Sequence, residues 1–380
     1  MTDTRAAMPI ARTEVVLPGQ AIFGRGCAAL LTDHLDGARR VLVVSGRVSF
    51  RSAAAAFRRL PADVHHFPHA RPNPTIHQVE AGVAAARAAG VDTVVGVGGG
   101  SAMDLAKAIA VLAPQPRPPR TCLEGSGPLV AGRPRLVLLP TTCGSGSELT
   151  SFATIYIGHR KYSLDTPLAL ADVALIDPLL SIDAPPPVAA AAAADAVCQA
   201  IESAWAVGAT DRSRGYAMAA LDSLLYGLAL AHHDTMARGA ALAGAAINLT
   251  RTTAAHALSY GLTARLGVPH GMAVALHLRW LIRFNQRATA ADCRHPTGPS
   301  ALAALIDDIQ RRCREIIGAP VEALLDTLLH RGRQRVPRLD PREWAADWSE
   351  ALTSMRAGNN PRVLTADTVR DAVMDWGNSS

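Results

Sequence analysis

The spacing of apolar residues differs between the two halves of the chain. In the first half, short apolar runs rich in valine and leucine occur at residues 41–45, 93–97 and 136–139. Between them, residues 76–89 and 102–113 have apolar positions at every third or fourth residue, as amphipathic helices do. Strands that alternate with helices in this way predict a parallel sheet in an α/β domain.

Two shorter elements are also predicted in this half. Residues 152–157 and 162–164 flank Gly158 and His159, a pair suited to a turn, so these two strands are expected to form a hairpin. Residues 53–60 follow the first apolar run and predict a helix.

After three consecutive prolines at residues 185–187, the apolar period is helical to the end of the chain. The sequence becomes rich in alanine and leucine, with few β-branched runs. The predicted helices cover residues 188–206, 211–230, 236–260, 271–285, 301–316, 320–331, 342–355 and 366–376. We therefore predict an α/β domain over residues 1–183 and an all-α domain over residues 184–380.

Composition and charge exclude several classes of protein. Hydrophobic residues make up 49% of the 380 and charged residues 18%, which excludes an intrinsically disordered chain. The net charge is +6, but no basic stripe interleaved with aromatic residues is present, so we expect no nucleic-acid partner. The charge-free runs fall short of the ~18 residues of a membrane span, and no secretion signal is visible. Six cysteines without paired spacing favour a reduced, cytoplasmic enzyme.

The first candidate site is a glycine turn between a strand and a helix. Gly98, Gly99, Gly100 and Ser101 follow the apolar run at 93–97. Glycines let a phosphate approach the backbone, and a helix N-terminus attracts its negative charge. Ser101 could cap the helix or donate to a phosphate oxygen. An ordinary glycine turn is the alternative.

The second candidate site is rich in hydroxyl groups. Thr141, Thr142, Ser145 and Ser147 follow the apolar run at 136–139. Such a segment at the end of a strand can hydrogen-bond a ribose, a phosphate or an amide. A flexible loop is the alternative.

Four residues of the helical half form a candidate metal site. Asp195 and Gln199 lie four residues apart on one predicted helix and share a face. His256 and His270 follow on later segments. One carboxylate, one amide oxygen and two imidazoles can hold a divalent metal with an open position. Taken singly, each residue has a structural alternative, such as a helix cap or a core hydrogen bond.

Together, these motifs resemble the iron-containing (group III) alcohol dehydrogenases. The matching residues are the pattern GGGSxxDxxK at 98–107, the pattern PTTxGSGSE at 140–148, Asp195, His256 and His270. The resemblance covers nearly the whole chain. It implies a Rossmann-like N-terminal domain and a helical C-terminal domain, the architecture shared with dehydroquinate synthase. It also implies a nicotinamide cofactor and a divalent metal, Fe(II) or Zn(II), in the cleft between the domains.

The resemblance also implies a role for individual residues. The glycine turn would hold the pyrophosphate, and the hydroxyl-rich segment would line the ribose and the nicotinamide. The cofactor-binding residues would be Gly46, Asn73, Gly98, Gly99, Gly100, Ser101, Asp104, Thr141, Thr142, Ser145, Ser147 and Lys161. The metal ligands would be Asp195, Gln199, His256 and His270.

Two departures from the family pattern point to one of its branches. Gln199 and Tyr260 stand where the family usually has histidines. Glutamine is a weaker ligand than imidazole, so metal occupancy stays open, and Tyr260 and Lys161 become the candidate catalytic residues. Together with residues 252–260 and 359–362, Gln199 and Tyr260 make the sequence resemble the phosphonoacetaldehyde reductase branch of the family.

That branch implies that the substrate is a small anionic aldehyde. The implied reaction is the reduction of phosphonoacetaldehyde to 2-hydroxyethylphosphonate in phosphonate biosynthesis. A dianionic phosphonate needs cations, and the candidates besides Lys161 are Arg160, Arg251 and Arg362. The segment after residues 41–45 has Arg47 and no acid, which favours NADPH over NADH.

Three alternative functions and the oligomeric state stay open at this point. The chain could reduce another small aldehyde, act as a lyase similar to dehydroquinate synthase, or bind cofactor without a metal and without turnover. Net consumption of NAD(P)H by an aldehyde would separate the first from the other two. A homodimer is one expectation for the assembly.

Overall fold

Six parallel strands form the sheet of the first half in the computed structural model, which describes residues 15–57, 63–125 and 127–374. With the two strands of a separate hairpin, the strands described are β1 (Ala21–Phe23), β2 (Arg40–Ser45), β3 (Asp63–Phe67), β4 (Thr93–Gly98), β5 (Arg135–Pro140), β6 (Phe152–Ile157), β7 (Arg160–Asp165) and β8 (Val173–Ile176). The sheet order is β1-β8-β5-β4-β2-β3, and each neighbouring pair is parallel. β6 and β7 form a separate antiparallel hairpin, which confirms the predicted one.

Helices flank the sheet and make up the second half. In the first half they are α1 (Leu31–His34), α2 (Arg47–Ser52), α3 (Ile76–Ala89), α4 (Gly100–Leu112) and α5 (Pro119–Leu123). In the second half they are α6 (Pro186–Trp205), α7 (Asp211–Leu230), α8 (His233–Thr250), α9 (Ala254–Leu266), α10 (His270–Gln286), α11 (Gly298–Ile317), α12 (Val321–Arg331), α13 (Pro341–Leu352), α14 (Met355–Gly358) and α15 (Ala366–Met374). None of these helices, within the residues described, is both long and apolar enough to cross a membrane.

The predicted fold class, an α/β part followed by an all-α part, is confirmed. β8 ends at Ile176 and the first long helix begins at Pro186. We propose that the domain boundary lies between them, at residues 183 and 184.

The order of the sheet strands places a crevice at the centre of the molecule. β2, β4 and β5 are almost wholly buried, which explains why their apolar runs are continuous rather than alternating. β3 lies on one side of β2 and β4 lies on the other, so the order in which successive strands join the sheet reverses between β2 and β4. In parallel sheets such a reversal opens a binding crevice at the carboxyl ends of the two strands.

The single helix predicted over residues 236–260 is wrong. The structure has two helices, α8 and α9, separated by a break at residues 251–253. Arg251 ends α8 with a φ of 65°, which no α-helix tolerates. The threonines of the break make hydrogen bonds to other parts of the fold instead of continuing the helix. We call residues 251–253 the α8–α9 break.

The helix predicted over residues 53–60 is also misplaced. α2 begins directly after Gly46, and a short 3-10 turn covers Ala54–Phe57. Residues 58–60, and the last two residues of the helix predicted over 366–376, lie outside the described residues.

Candidate active site

A cleft of about 420 Å³ lies between the carboxyl ends of the sheet strands and the helical half. Its walls come from the segments after β2, β3, β4 and β5, from the hairpin, and from helices of the second half. The predicted site residues that line it are Gly46, Asn73, Gly99, Gly100, Ser101, Asp104, Thr142, Ser145, Ser147, Lys161, Asp195, Gln199, His256 and His270. Gly98 and Thr141 stand behind this surface, joined by a 2.9 Å hydrogen bond from the Thr141 N–H to the Gly98 carbonyl.

The glycine turn has the shape that a dinucleotide pyrophosphate requires. β4 ends at Gly98, and Gly99 precedes α4 without any side-chain cap, so no side chain covers the first N–H groups of the helix. A Cβ on Gly100 would lie 2.7 Å from the Ser145 Oγ, so the backbone here approaches the hydroxyl-rich segment more closely than another residue allows. Free N–H groups at a helix start beside a glycine cradle fit a phosphate.

Ser101 does not cap α4, although the sequence allowed it. Its Oγ accepts a hydrogen bond of 3.3 Å from the Asn73 N–H. Asn73 has a φ of 57°, a conformation that asparagine adopts more readily than most residues. Ser101 therefore fastens the loop after β3 to the glycine turn.

Asp104 fastens the hydroxyl-rich segment and the hairpin to α4. One carboxylate oxygen accepts a hydrogen bond of 2.6 Å from the Ser147 Oγ, and the other accepts one of 2.8 Å from the Thr154 N–H. Since both oxygens are engaged by the protein, Asp104 holds the wall of the cleft in place.

Three predicted metal ligands converge from three helices. One ligand atom from each of Asp195 in α6, His256 in α9 and His270 in α10 lies within 4.8 Å of the others. His270 can reach this point because α10 begins against α6: a Cβ on Gly271 would lie 2.0 Å from the Ala191 carbonyl oxygen.

The ionisation of Asp195 and His270 suits a cation, whereas Glu202 and Asp195 outweigh burial and raise the pKa of His256, so this ring must release a proton when a metal binds. Burial disfavours the charge of Asp195, but the hydrogen bond from His256 outweighs it and lowers the pKa of Asp195. Burial lowers the pKa of His270 to about 3, so its ring is neutral at neutral pH. An ionised carboxylate and a neutral imidazole are the forms that bind metals.

Glu202 completes the group from behind, and the sequence reasoning missed it. One of its oxygens contacts the His256 Nδ1, and the other accepts hydrogen bonds from the Thr253 Oγ1 and the Ala255 N–H. Burial opposes its charge, yet His256 and these donors lower the pKa of Glu202. The His256 Nε2 is thereby turned towards Asp195, at 3.3 Å from its Oδ1. A carboxylate behind a ligating histidine fixes the ring orientation in this way.

Gln199 supplies the observation that tests whether the donor set fits a metal. Its side chain lies beside Asp195 and lines the cleft. Its Oε1 is buried and has no hydrogen-bond partner among the described residues. An unpaired buried carbonyl oxygen is costly unless a ligand satisfies it. Beside a carboxylate and two imidazoles, it fits as the fourth donor to a divalent metal.

Family models match both halves of the chain. The model of iron-containing alcohol dehydrogenase matches residues 18–178, and that of the Fe-containing alcohol dehydrogenase family, C-terminal, matches residues 189–373. The chain belongs to the iron-containing alcohol dehydrogenase family. It is therefore an NAD(P)-dependent metal alcohol dehydrogenase, a class that interconverts alcohols and aldehydes or ketones.

Individual members of the iron-containing alcohol dehydrogenase family are similar over most of the chain. A phosphonoacetaldehyde reductase of Streptomyces viridochromogenes is 32% identical over 93% of this chain and 95% of its own. Long-chain-alcohol dehydrogenase 1 of Geobacillus thermodenitrificans is 32% identical over 73% of this chain and 74% of its own. Among solved structures, a sulfoacetaldehyde reductase of Bifidobacterium kashiwanohense in complex with NAD+ has a TM-score of 0.81 and 25% identity, covering 97% of this chain and all of that one.

Tyr260 and Lys161, the predicted catalytic residues of this alcohol dehydrogenase, lie against each other. The Lys161 Nζ is 3.7 Å from the centre of the Tyr260 ring, which in turn stacks 6.4 Å from the His270 ring. Burial, and secondarily the charge of Arg356, lower the pKa of Lys161 well below its usual value. Burial raises the pKa of Tyr260 to about 12, and its hydroxyl has no hydrogen-bond partner among the described residues.

The three arginines predicted to bind the substrate do not line the cleft within the described part of the chain. Each guanidinium is paired with a carboxylate instead, and a paired charge is a poor anchor for an additional anion. The pairs, with their nitrogen–oxygen distances, are Arg160 with Glu350 at 3.4 Å, Arg251 with Asp165 at 2.7 Å and Arg362 with Asp292 at 2.8 Å.

Arg356, in the short helix α14, lines the cleft instead. Its Nη1 donates a hydrogen bond of 2.6 Å to the Thr252 Oγ1, and no ion pair occupies it among the described residues. Asn359 anchors α14 by donating to the carbonyls of Thr250 and Thr252. The motif at residues 359–362 was therefore a sequence signal for a residue of the cleft wall three positions earlier.

The role of Glu202 leads to a prediction about metal affinity. We expect Glu202→Gln to weaken binding of zinc by about 10- to 100-fold, because the ring of His256 loses its charged partner. Competition titration of the purified protein against a zinc-binding dye measures the affinity. Glu80→Gln is the matched control, since Glu80 pairs with the exposed His77 on α3. Equal zinc affinity in the two variants would contradict the role of Glu202.

Proposed function

We propose that this enzyme reduces phosphonoacetaldehyde to 2-hydroxyethylphosphonate with NADPH. The relative at 32% identity over 93% of the chain supports this substrate, since it is named for that reaction. The structural neighbour at 25% identity, a sulfoacetaldehyde reductase, supports the same general class: a two-carbon aldehyde with a tetrahedral anion. Because the product is a phosphonate alcohol, we propose that the reaction belongs to phosphonate biosynthesis.

The observation that carries this proposal is the position of Arg356. Its guanidinium faces the cleft that contains Asp195, His256 and His270, and it has no carboxylate partner among the described residues. A guanidinium keeps its charge at all physiological pH values and binds two phosphonate oxygens at once. Lys161 lies in the same wall but loses its proton more easily, so the permanent positive charge beside it is that of Arg356, whereas Arg71 lines the cleft from the loop after β3.

The chain's residues divide into two sets that hold the reaction partners. Asp195, Gln199, His256 and His270 would hold the divalent metal, Fe(II) or Zn(II), which when bound supplies Lewis-acid polarisation of the aldehyde oxygen. The glycine turn and the hydroxyl-rich segment would hold the nicotinamide cofactor, which when bound supplies the hydride. Arg356 would grip the phosphonate and so orient the carbonyl between the two sets.

Tyr260 and Lys161 are suited to supply the proton that the product alcohol needs. The raised pKa of Tyr260 keeps its hydroxyl protonated at neutral pH, and the lowered pKa of Lys161 makes its ammonium a readier donor. The Lys161 Nζ lies over the face of the Tyr260 ring and not at its hydroxyl, which has no hydrogen-bond partner among the described residues, so each group can donate only its own proton. We propose them as the general acid of the reduction.

A comparison of three aldehydes tests the proposed substrate. Phosphonoacetaldehyde, sulfoacetaldehyde and propanal differ in the charge at one end and little in length. We expect kcat/KM to be highest for phosphonoacetaldehyde and at least about 100-fold lower for propanal, since propanal leaves the half-buried guanidinium of Arg356 without an anionic partner. Equal kcat/KM values for phosphonoacetaldehyde and propanal would contradict the proposal that the substrate is a phosphonate.

The preference for NADPH rests on a smaller cavity that adjoins the cleft. It is lined by Arg47, His69 and Arg71 together with Pro68 and Ala70. Gly46 lies at the end of β2, where an acidic residue would bind a ribose 2′-hydroxyl. With arginines and no acid at this point, the cavity favours a 2′-phosphate.

The cofactor preference predicts the effect of one substitution. We expect Gly46→Asp to raise the KM for NADPH at least tenfold and to lower the KM for NADH, because the new carboxylate repels a 2′-phosphate. The position accepts a side chain, since a Cβ there would meet its nearest neighbours at 3.4 Å. Steady-state kinetics with both cofactors measures the change. An unaltered NADPH to NADH ratio would contradict this use of the cavity.

The compartment and the assembly are also proposals. All six cysteines are free, which supports a reducing compartment such as the cytoplasm. A homodimer stays a prediction.

A further inference from the structure

We infer that Arg251 is a positioning residue for Arg356: by clamping the hairpin to the α8–α9 break, it fixes the aromatic face against which Arg356 rests. This inference depends on the proposed function, in which Arg356 binds the anionic end of the substrate. Arg251 itself stays outside the cleft lining.

Arg251 joins the two halves of the molecule at one point. Its Nε and Nη2 donate to the two carboxylate oxygens of Asp165 in β7, at 3.1 and 2.7 Å. Its Nη1 donates to the Asn248 carbonyl in α8, at 2.7 Å. Its guanidinium carbon lies 4.8 Å from the centre of the Phe152 ring in β6, within the range of a cation–π contact. All of these contacts are therefore with the hairpin or with α8.

The backbone of Arg251 is strained, which suggests selection for the side chain. Its φ is 65° and its ψ is −179°, a region that only glycine occupies freely. A strained residue persists where the surrounding structure holds it, and such residues cluster at functional sites. Glycine would suit this backbone, but it would lose the ion pair and the contact with Phe152.

Two contacts carry the effect of Arg251 to Arg356. The Phe152 ring lies beside both guanidiniums, with that of Arg356 at 5.5 Å, and it also lines the cleft. Asp165 is the register partner of Phe152 across the hairpin, so the ion pair to Asp165 holds the strand position that carries this ring. Thr252, directly after Arg251, accepts the hydrogen bond from Arg356.

The structure therefore predicts a selective kinetic defect when the clamp is removed. Arg251→Gly removes the guanidinium and leaves an unstrained backbone, and Asp165→Asn removes the charge of its partner with little change in shape. We expect each to raise the KM for phosphonoacetaldehyde about tenfold, within the range of couplings carried by packed networks. The KM for propanal and the kcat for both aldehydes should change less than about twofold, because neither variant touches the reacting end.

Arg265→Ala is the matched control. Arg265 also pairs with a carboxylate, Asp347, and rests on an aromatic ring, Trp344, but it lies at the far end of α9. This variant should leave both KM values unchanged. If it shifts them as Arg251→Gly does, general loss of packing explains the effect and the inference is overturned.

A double-mutant cycle separates this inference from the proposed function. In an Arg356→Ala background, Arg251→Gly should add no further rise in the KM for phosphonoacetaldehyde, because the residue it positions is absent. Additive effects would overturn the positioning role while leaving the proposed function intact. If Arg356→Ala alone leaves the KM for phosphonoacetaldehyde unchanged, the proposed function fails instead. Should Arg251→Gly not fold, Asp165→Asn supplies the same comparison.

Discussion

The His270→Ala variant should lose at least about 1000-fold in kcat for aldehyde reduction. His270 is one of the three predicted ligands that converge in the cleft, and its buried ring is neutral, the form that binds a cation. Removing it leaves Asp195, His256 and the weaker Gln199 to hold the metal, so the Lewis-acid contribution of several kcal/mol is lost with the metal. Metal content of the purified variant, measured by mass spectrometry, should fall together with kcat.

Cofactor binding distinguishes loss of the metal from loss of the fold. The glycine turn lies in the other half of the molecule, so the affinity of His270→Ala for NADPH, measured by fluorescence titration, should stay within about threefold of the parent protein. His77→Ala is the control, since the His77 side chain is 88% exposed on α3. A His270→Ala protein that retains metal and turnover would show that the ligand set is wrong.

The Arg356→Ala variant should lose about 100- to 1000-fold in kcat/KM for phosphonoacetaldehyde and little for propanal. The guanidinium lines the cleft near Lys161 and His270, and no carboxylate neutralises it among the described residues. Truncating one partner of a desolvated charge pair typically costs about 2–5 kcal/mol, which corresponds to factors of this size. The loss should be mainly in KM, because Arg356 binds the end of the substrate that does not react.

A conservative variant makes this prediction more specific. Arg356→Lys keeps the charge but cannot bind two oxygens in one plane, so we expect it to recover only part of the loss. Arg160→Ala is the surface control, since Arg160 is exposed and pairs with Glu350 at the edge of the molecule. Equal losses for phosphonoacetaldehyde and propanal in Arg356→Ala would contradict an anion-binding role and indicate a structural one.

The sequence was sufficient to predict the fold where local pattern and tertiary packing agree. The buried strands β4 and β5 read as continuous apolar runs, and α7 occupies the predicted residues 211–230. The α8–α9 break could not be predicted in this way. Its determinants are long-range: Arg251 binds Asp165, and Thr253 binds Glu202. Contacts between distant residues leave no local period in the sequence.

The candidate site was predictable where the chemistry restricts the residue type. Glycines at a strand end and a carboxylate with two histidines are rare enough to be noticed. Glu202 was missed although a signal existed: Gln199 and Glu202 follow Asp195 by four and seven residues, which places all three on one helix face. The substrate arginines were wrong because almost all of the 38 basic residues are arginines. Which of them has a carboxylate partner depends on the folded structure alone.

Metal-dependent reduction of phosphonoacetaldehyde can be tested in one experiment. Oxidation of NADPH is followed with purified protein and phosphonoacetaldehyde, before chelation, after chelation, and after refilling with iron(II) or zinc. We expect turnover to fall to about a hundredth or less on chelation and to return on refilling, because we propose that Asp195, Gln199, His256 and His270 hold the metal in the cleft. Turnover that is indifferent to chelation, or absent with phosphonoacetaldehyde while propanal is reduced, would contradict this conclusion.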